Sequence, residues 1–273
     1  MDIKQLEAVP PWEWPEETRD ALIHLLGDSS ADIGDRRLAV SMAGDLSILD
    51  DTLAKGLLVV LADEGADPAL RGWAAIALGP ALENADLMGF DDEEDNAISE
   101  KMFQAIQDAL EKCYRDGGCP KVVRRRALEA SVRCPQKWHE AAIRSAYLSK
   151  DPEWRLTAVF GMRYIDGFEP QILESLEDSD QDIHYEAVCA AGSLEVRKAW
   201  PHIASLLTDE ETDKGLLLAA IDAAVGIRPE DAAVVLGPLL ESDDEDIVDA
   251  VHESLAMIDA LEDFEFEDGD EFY

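Results

Sequence analysis

Three thiols and an imidazole, Cys113, Cys119, Cys134 and His139, lie close together in the middle of the chain, and as residue types they would make an adequate zinc ligand set. Their spacing argues against that chemistry. If Cys119 and Cys134 bracket one helix, their fifteen-residue separation spans about 22 Å at ~1.5 Å per residue, too far for one coordination sphere. Cys189 lies further along again. Reduced, partly buried structural cysteines are therefore expected, with no metal and no cofactor. The five histidines are scattered, and none sits in a nucleophile elbow, a His-Glu-x-x-His helix or a phosphate loop. Asp180, Asp182 and His184 read as a helix start, and Asp243 to Asp246 lack the glycine and ligand spacing of a calcium loop. No catalytic residue is identified.

Charge narrows the partner class. With 61 acidic and 23 basic residues the chain carries a formal −38. Such a field repels nucleic-acid phosphates and anionic lipid, so neither is an expected partner, whereas a basic protein or peptide is. A mimic of nucleic acid, occupying a basic protein's DNA site, is an alternative. Residues 112–144 reverse the sign, with nine basic groups against three acids. Within them Lys121, Arg124, Arg125 and Arg126 form a candidate anion or tail-docking patch, although neutralisation of nearby acids is the preferred reading.

Seven segments place a large apolar residue, then small or apolar residues four and seven positions later, as in Leu70, Ala74, Ala77 and Trp154, Ala158, Gly161. That is one face of a helix. The residues following the anchors are Arg36, Arg71, Arg124, Arg155, His184, Leu218 and Val248, mostly one helical hairpin apart. Asp67-Pro68 and Asp151-Pro152 mark helix starts. Gly44, Gly79, Gly192 and Gly226 are expected as left-handed terminators. Partner helices are expected at roughly 16–26, 52–62, 97–114, 136–148, 169–177, 198–207 and 231–241. The fold class is all-α: a solenoid of about seven stacked antiparallel helical hairpins.

The stretches Asp67-Pro-Ala-Leu-Arg71-Gly-Trp-Ala-Ala-Ile-Ala-Leu-Gly79 and Asp151-Pro-Glu-Trp-Arg155-Leu-Thr-Ala158 resemble the HEAT-repeat family, particularly its short bacterial form related to phycobilin-lyase repeats. The resemblance covers about residues 15–258 and implies fold far more than function. It implies an Asp/Arg ladder between successive repeats through Asp32/Arg36, Asp67/Arg71 and Asp151/Arg155, which fails at His184, Leu218 and Val248. It also implies a concave surface lined mainly by second helices. Trp154, at an anchor position, is expected to be buried. Arg155, Phe160, Arg163 and Tyr185 are the candidate recognition residues. A non-enzymatic scaffold or adaptor is the leading expectation, and a phycobilin-lyase-like enzyme or accessory is the alternative that the resemblance raises.

Around this array, residues 1–15 are expected to cap the first repeat with Trp12 and Trp14, and 16–258 to form the solenoid. Residues 83–96 read as an acidic loop insertion and 259–273 as an acidic-aromatic tail. The residues Met1 to Pro10 lack a basic apolar export signal, and the longest clean apolar run, Leu57 to Ala62, is too short to span a bilayer. A cytoplasmic protein, with no membrane association, is the expectation.

Overall fold

The computed structural model describes residues 2–90 and 96–269, with side chains through residue 260. Among them the secondary structure is entirely helical, and the protein is an all-α solenoid of stacked hairpins. The chain divides into two compact units, Met1–Ala142 and Ile143–Tyr273.

In the first unit, α1 (Glu17–Gly27) pairs with α2 (Ile33–Ala43), α3 (Asp51–Ala62) with α4 (Pro68–Ala77), and α6 (Glu100–Arg115) with α7 (Lys121–Ser131). Second helices pack on second helices in chain order, α2 on α4 and α4 on α7, while α1 packs on α3 and α3 on α6. Leu22, Leu53, Leu57, Leu70, Ile106 and Leu110 are fully buried between the layers. The helix α8 (His139–Tyr147) spans the division between units. The second unit repeats the scheme with α9 (Pro152–Gly161), α10 (Glu169–Ser175), α11 (Gln181–Ser193), α12 (Trp200–Thr208), α13 (Lys214–Ile227), α14 (Pro229–Leu236) and α15 (Glu245–Gly269). There α9, α11, α13 and α15 pack in succession. The predicted stripe Ala39, Ala74, Ala127, Ala158, Ala187, Ile221 and Val251 is buried throughout.

Aspartate organises the turns. Asp32, Asp50, Asp67, Asp180 and Asp213 each accept two backbone N–H bonds at a helix start, and Asp151 accepts one. Each answers amides that the first turn leaves without partners. Four residues before three of these caps, Asp28, Asp63 and Asp209 accept from the amide two positions on and turn the chain out of the preceding helix. Part of the large acidic excess is thus hairpin-turn chemistry.

Several expectations are corrected. The Asp/Arg pairs do not form an inter-repeat ladder in the first unit. Arg36 Nη2, Arg71 Nε and Arg124 Nε instead donate to the carbonyls of Leu26, Leu61 and Tyr114, at 3.2, 2.9 and 2.9 Å. Each arginine caps the C-terminal turn of the first helix in its own hairpin, where carbonyls lack partners and a cation meets the negative end of the dipole. Arg155 departs from this habit and reaches Asp178 at 3.0 Å. Gly44, Gly79, Gly192 and Gly226 are not left-handed; among described glycines only Gly89 and Gly167 have positive φ. They serve close packing instead. A Cβ on Gly44 would lie 2.6 Å from the Ala77 carbonyl oxygen, and one on Gly192 would lie 2.6 Å from Ala223 Cα.

The insertion begins as helix, not loop: α5 (Gly79–Met88) contains Glu83 and Asp86 and packs on α6 and α7. The acidic run Asp91 to Asp95 lies outside the described residues. At the amino end, the 3-10 turn Ile3–Leu6 packs on α2, and Trp14 Nε1 donates to the Val9 carbonyl at 2.8 Å. Only Trp14 behaves as a cap, because Trp12 is 78% exposed. Trp154 is half-buried. The backbone of residues 259–269 continues α15, whereas the tail side chains Phe264, Phe266, Phe272 and Tyr273 lie outside the described residues.

Candidate interaction surfaces

The second helices of the first unit bring Arg37 and Trp73 together, with the guanidinium 5.7 Å from the ring centroid. They line an open cleft of about 340 Å³ with Glu7, Gly34, Leu38 and Ser41. Sequence reasoning missed Arg37; its signal was its place one residue beyond the aligned Arg36, against Trp73 two beyond Arg71.

The basic segment is largely engaged within the unit. Arg125 is buried and lies 3.6 Å from Glu129, whose carboxylate also takes Arg126 at 2.5 Å. Arg124 stands over the Tyr114 ring at 5.8 Å besides capping its helix. Lys121 is exposed at the start of α7. Arg133 pairs with Glu83 of the insertion at 2.5 Å, so at least one basic group there does neutralise an inserted acid.

In the second unit, three of the four candidate recognition residues converge. Arg163 lies 5.3 Å from the Phe160 ring and pairs with Glu186, next to Tyr185 on α11. Tyr185 is 40% exposed. Its phenol is held above the ordinary range chiefly by the neighbouring Cys189 thiol, with burial second. Burial likewise pushes up Cys189, which feels Arg163 and the exposed Asp222 of α13 as well. The fourth candidate, Arg155, stands apart at the start of α9, paired with Asp178 and 5.2 Å from the Tyr147 ring. Cys189 was also missed, although its position four residues after Tyr185 places both on one helix face.

The thiols and imidazole that opened the sequence reading occupy different environments. Cys113 and Cys119 share a small pocket with Arg71 and Lys112. Cys134 donates to Asp86 at 3.3 Å, and burial with that carboxylate pushes its thiol up to about 12. Among the described residues no group of three His, Cys, Asp or Glu side chains is arranged to hold a metal ion. His139 is fully buried. Its Nδ1 accepts from the Gln136 amide at 2.8 Å, so its Nε2 carries the proton shared with Ser131 Oγ at 2.9 Å.

Burial holds the His139 pKa down, from 6.5 to about 4. The neutral ring is therefore the folded form, and as pH falls below 6.5 the unfolded chain binds a proton that the folded chain refuses until about 4. Wild type is expected to lose about 2 kcal/mol more between pH 7 and pH 5 than a His139→Phe variant does. Urea unfolding of both proteins at both pH values checks this, and parallel losses would contradict it.

No family model matches the chain, and no curated protein matches it in sequence. Solved structures do match in fold. The complex of CpcE and CpcF of phycocyanin lyase from Nostoc sp. is similar with a TM-score of 0.52 and 18% identity, covering 92% of this chain and 98% of that one. Human deoxyhypusine hydroxylase is similar with a TM-score of 0.40 and 17% identity, covering 94% and 99%. At this identity the likeness is one of helical-repeat architecture. Among the described residues, no helix is long and apolar enough to cross a membrane.

Proposed function

We propose that the protein is a HEAT-type interaction module, a non-enzymatic cytoplasmic scaffold or adaptor that binds a protein or peptide bearing basic groups. The observation carrying this reading is the convergence of Phe160 of α9, Arg163 of the 3-10 turn that follows it and Tyr185 of α11, with Tyr185 40% exposed. A large aromatic ring held at a polar rim is the residue type that dominates binding energy at protein interfaces. Glu186 and Asp222 beside it, and the formal −38 of the chain, favour a cationic partner and oppose nucleic acid. The Arg37–Trp73 cleft offers a second contact of similar chemistry.

The test is affinity capture, identification of the partner, and calorimetry on the purified pair. Tyr185→Ala is expected to weaken binding by roughly tenfold or more, the loss of about 1.4–2 kcal/mol usual for an interface anchor. Association should also slow steeply with added salt. Unchanged affinity for Tyr185→Ala together with Trp73→Ala would remove the surface from consideration, and indifference to salt would remove the basic partner.

A lyase-like role is the second reading, supported by the fold likeness to the CpcE and CpcF complex of phycocyanin lyase. Incubation with a bilin distinguishes it, since chromophore capture followed by transfer to a partner thiol would produce a covalent coloured product. Competition with DNA for the captured partner separates a nucleic-acid mimic from a general scaffold.

A further inference from the structure

The histidine at the position held by arginine in the first four repeats does something different from those arginines. His184 Nε2 lies 2.8 Å from His202 Nε2 of α12, with ring centroids 5.0 Å apart and planes at 77°. On the far side of His202, Nδ1 stands 3.3 Å from the Glu177 carboxylate. The nearby carboxylate favours the tautomer with its proton on Nδ1, whose Nε2 lone pair faces His184. Both imidazoles are half-buried.

From this arrangement we propose that His184 and His202 form a two-imidazole site for a borderline divalent transition metal such as Zn²⁺ or Cu²⁺. Water completes the coordination sphere, and Glu177 supports His202 from behind. Two Nε2 ligands of a tetrahedral ion, each at about 2.0–2.1 Å, are about 3.3 Å apart, so the pair must open by about half an ångström and the rings turn until both lone pairs converge on the ion. A carboxylate on the second nitrogen of a ligating histidine raises its basicity and fixes its ring, the usual support behind a metal-bound imidazole. Asp178 is engaged by Arg155 at 3.0 Å, and water rather than a third side chain fills the remaining positions. Binding in the micromolar range and fast exchange follow from so open a site.

The experiment is calorimetric titration of the full chain with Zn²⁺, in millimolar Mg²⁺ to saturate exposed carboxylates. One equivalent is expected to bind, with affinity falling at least tenfold in His184→Asn and in His202→Asn. Glu177→Gln is expected to lose roughly tenfold. In wild type, Zn²⁺ should perturb the imidazole resonances of two of the five histidines, and bound Cu²⁺ should show two nitrogen couplings in its electron paramagnetic resonance spectrum. These two readouts need no variant to fold. Equal binding by wild type and both variants, perturbation of other histidines, or no Zn²⁺ binding once Mg²⁺ is present would overturn the site and leave the pair as a plain imidazole–imidazole hydrogen bond.

Discussion

Gly192→Val is expected to destabilise the second unit by about 3 kcal/mol, the upper end of the range for overpacking. Gly192 lies in α11 where that helix meets α13. Even its first added carbon would sit 2.6 Å from Ala223 Cα and 2.8 Å from Ala223 Cβ. Those are the backbone and the stub of a helix, not the end of a flexible side chain, so relief requires the helices to part. Parting them disturbs Gly226 too, whose own Cβ would lie 2.7 Å from the Gly192 carbonyl oxygen. Lost contact along α11 and α13 then adds to the strain. The midpoint of thermal unfolding should fall by roughly 10 °C. Gly27→Ala is the control: nothing lies within 4 Å of its Cβ at the exposed end of α1, and helix propensity predicts a gain of up to about 1 kcal/mol. If both substitutions behave alike, glycine in this chain reflects backbone freedom rather than helix approach.

The same residues show what could be read before coordinates and what could not. Alternation of anchors and small residues is a local signal, because a stripe such as Ala127 to Ala130 must face another helix wherever the chain goes. Hairpin order and nearly every helix position followed from it. The glycines were recognised as special but given the wrong cause. A left-handed terminator is a property of one residue, whereas the contact of Gly192 with Ala223 belongs to two helices separated by another. Arg71 was misassigned for a similar reason: Asp67 is its neighbour in sequence, yet the chain turns back so that Leu61 offers the free carbonyl. At the candidate surface, Phe160, Arg163 and Tyr185 were legible as aromatic and cationic residues off the buried stripe. Arg155 was not separable from them, because its departure depends on Asp178 arriving from the following turn. Likewise His202 was invisible as a partner of His184, since their meeting depends on how two consecutive hairpins pack.

Glu129→Ala should cost more still, about 3–5 kcal/mol, because it takes the carboxylate from beside a buried cation rather than merely removing an apolar contact. Both Arg125 and Glu129 are 5% exposed, and their charged atoms are 3.6 Å apart. Without the carboxylate, Arg125 keeps its charge in a poorly solvated place and cannot shed it, since guanidinium stays protonated in any accessible pH range. Arg126, which also binds Glu129, is 43% exposed and can turn to water. Its truncation should therefore cost under about 1 kcal/mol. Replacing both buried partners, Arg125→Met with Glu129→Leu, removes the desolvation burden along with the attraction and should be neutral or better. Urea midpoints at constant m-value across the four proteins give the comparison. Should Glu129→Ala prove no worse than Arg126→Ala, the carboxylate is not balancing a buried charge. A severe single and a silent double variant would mean that Arg125 is committed to the interior. An anion approaching α7 would then meet Lys121, Arg124 and Arg126 alone, and the positive net charge of residues 112–144 would overstate what any ligand can feel.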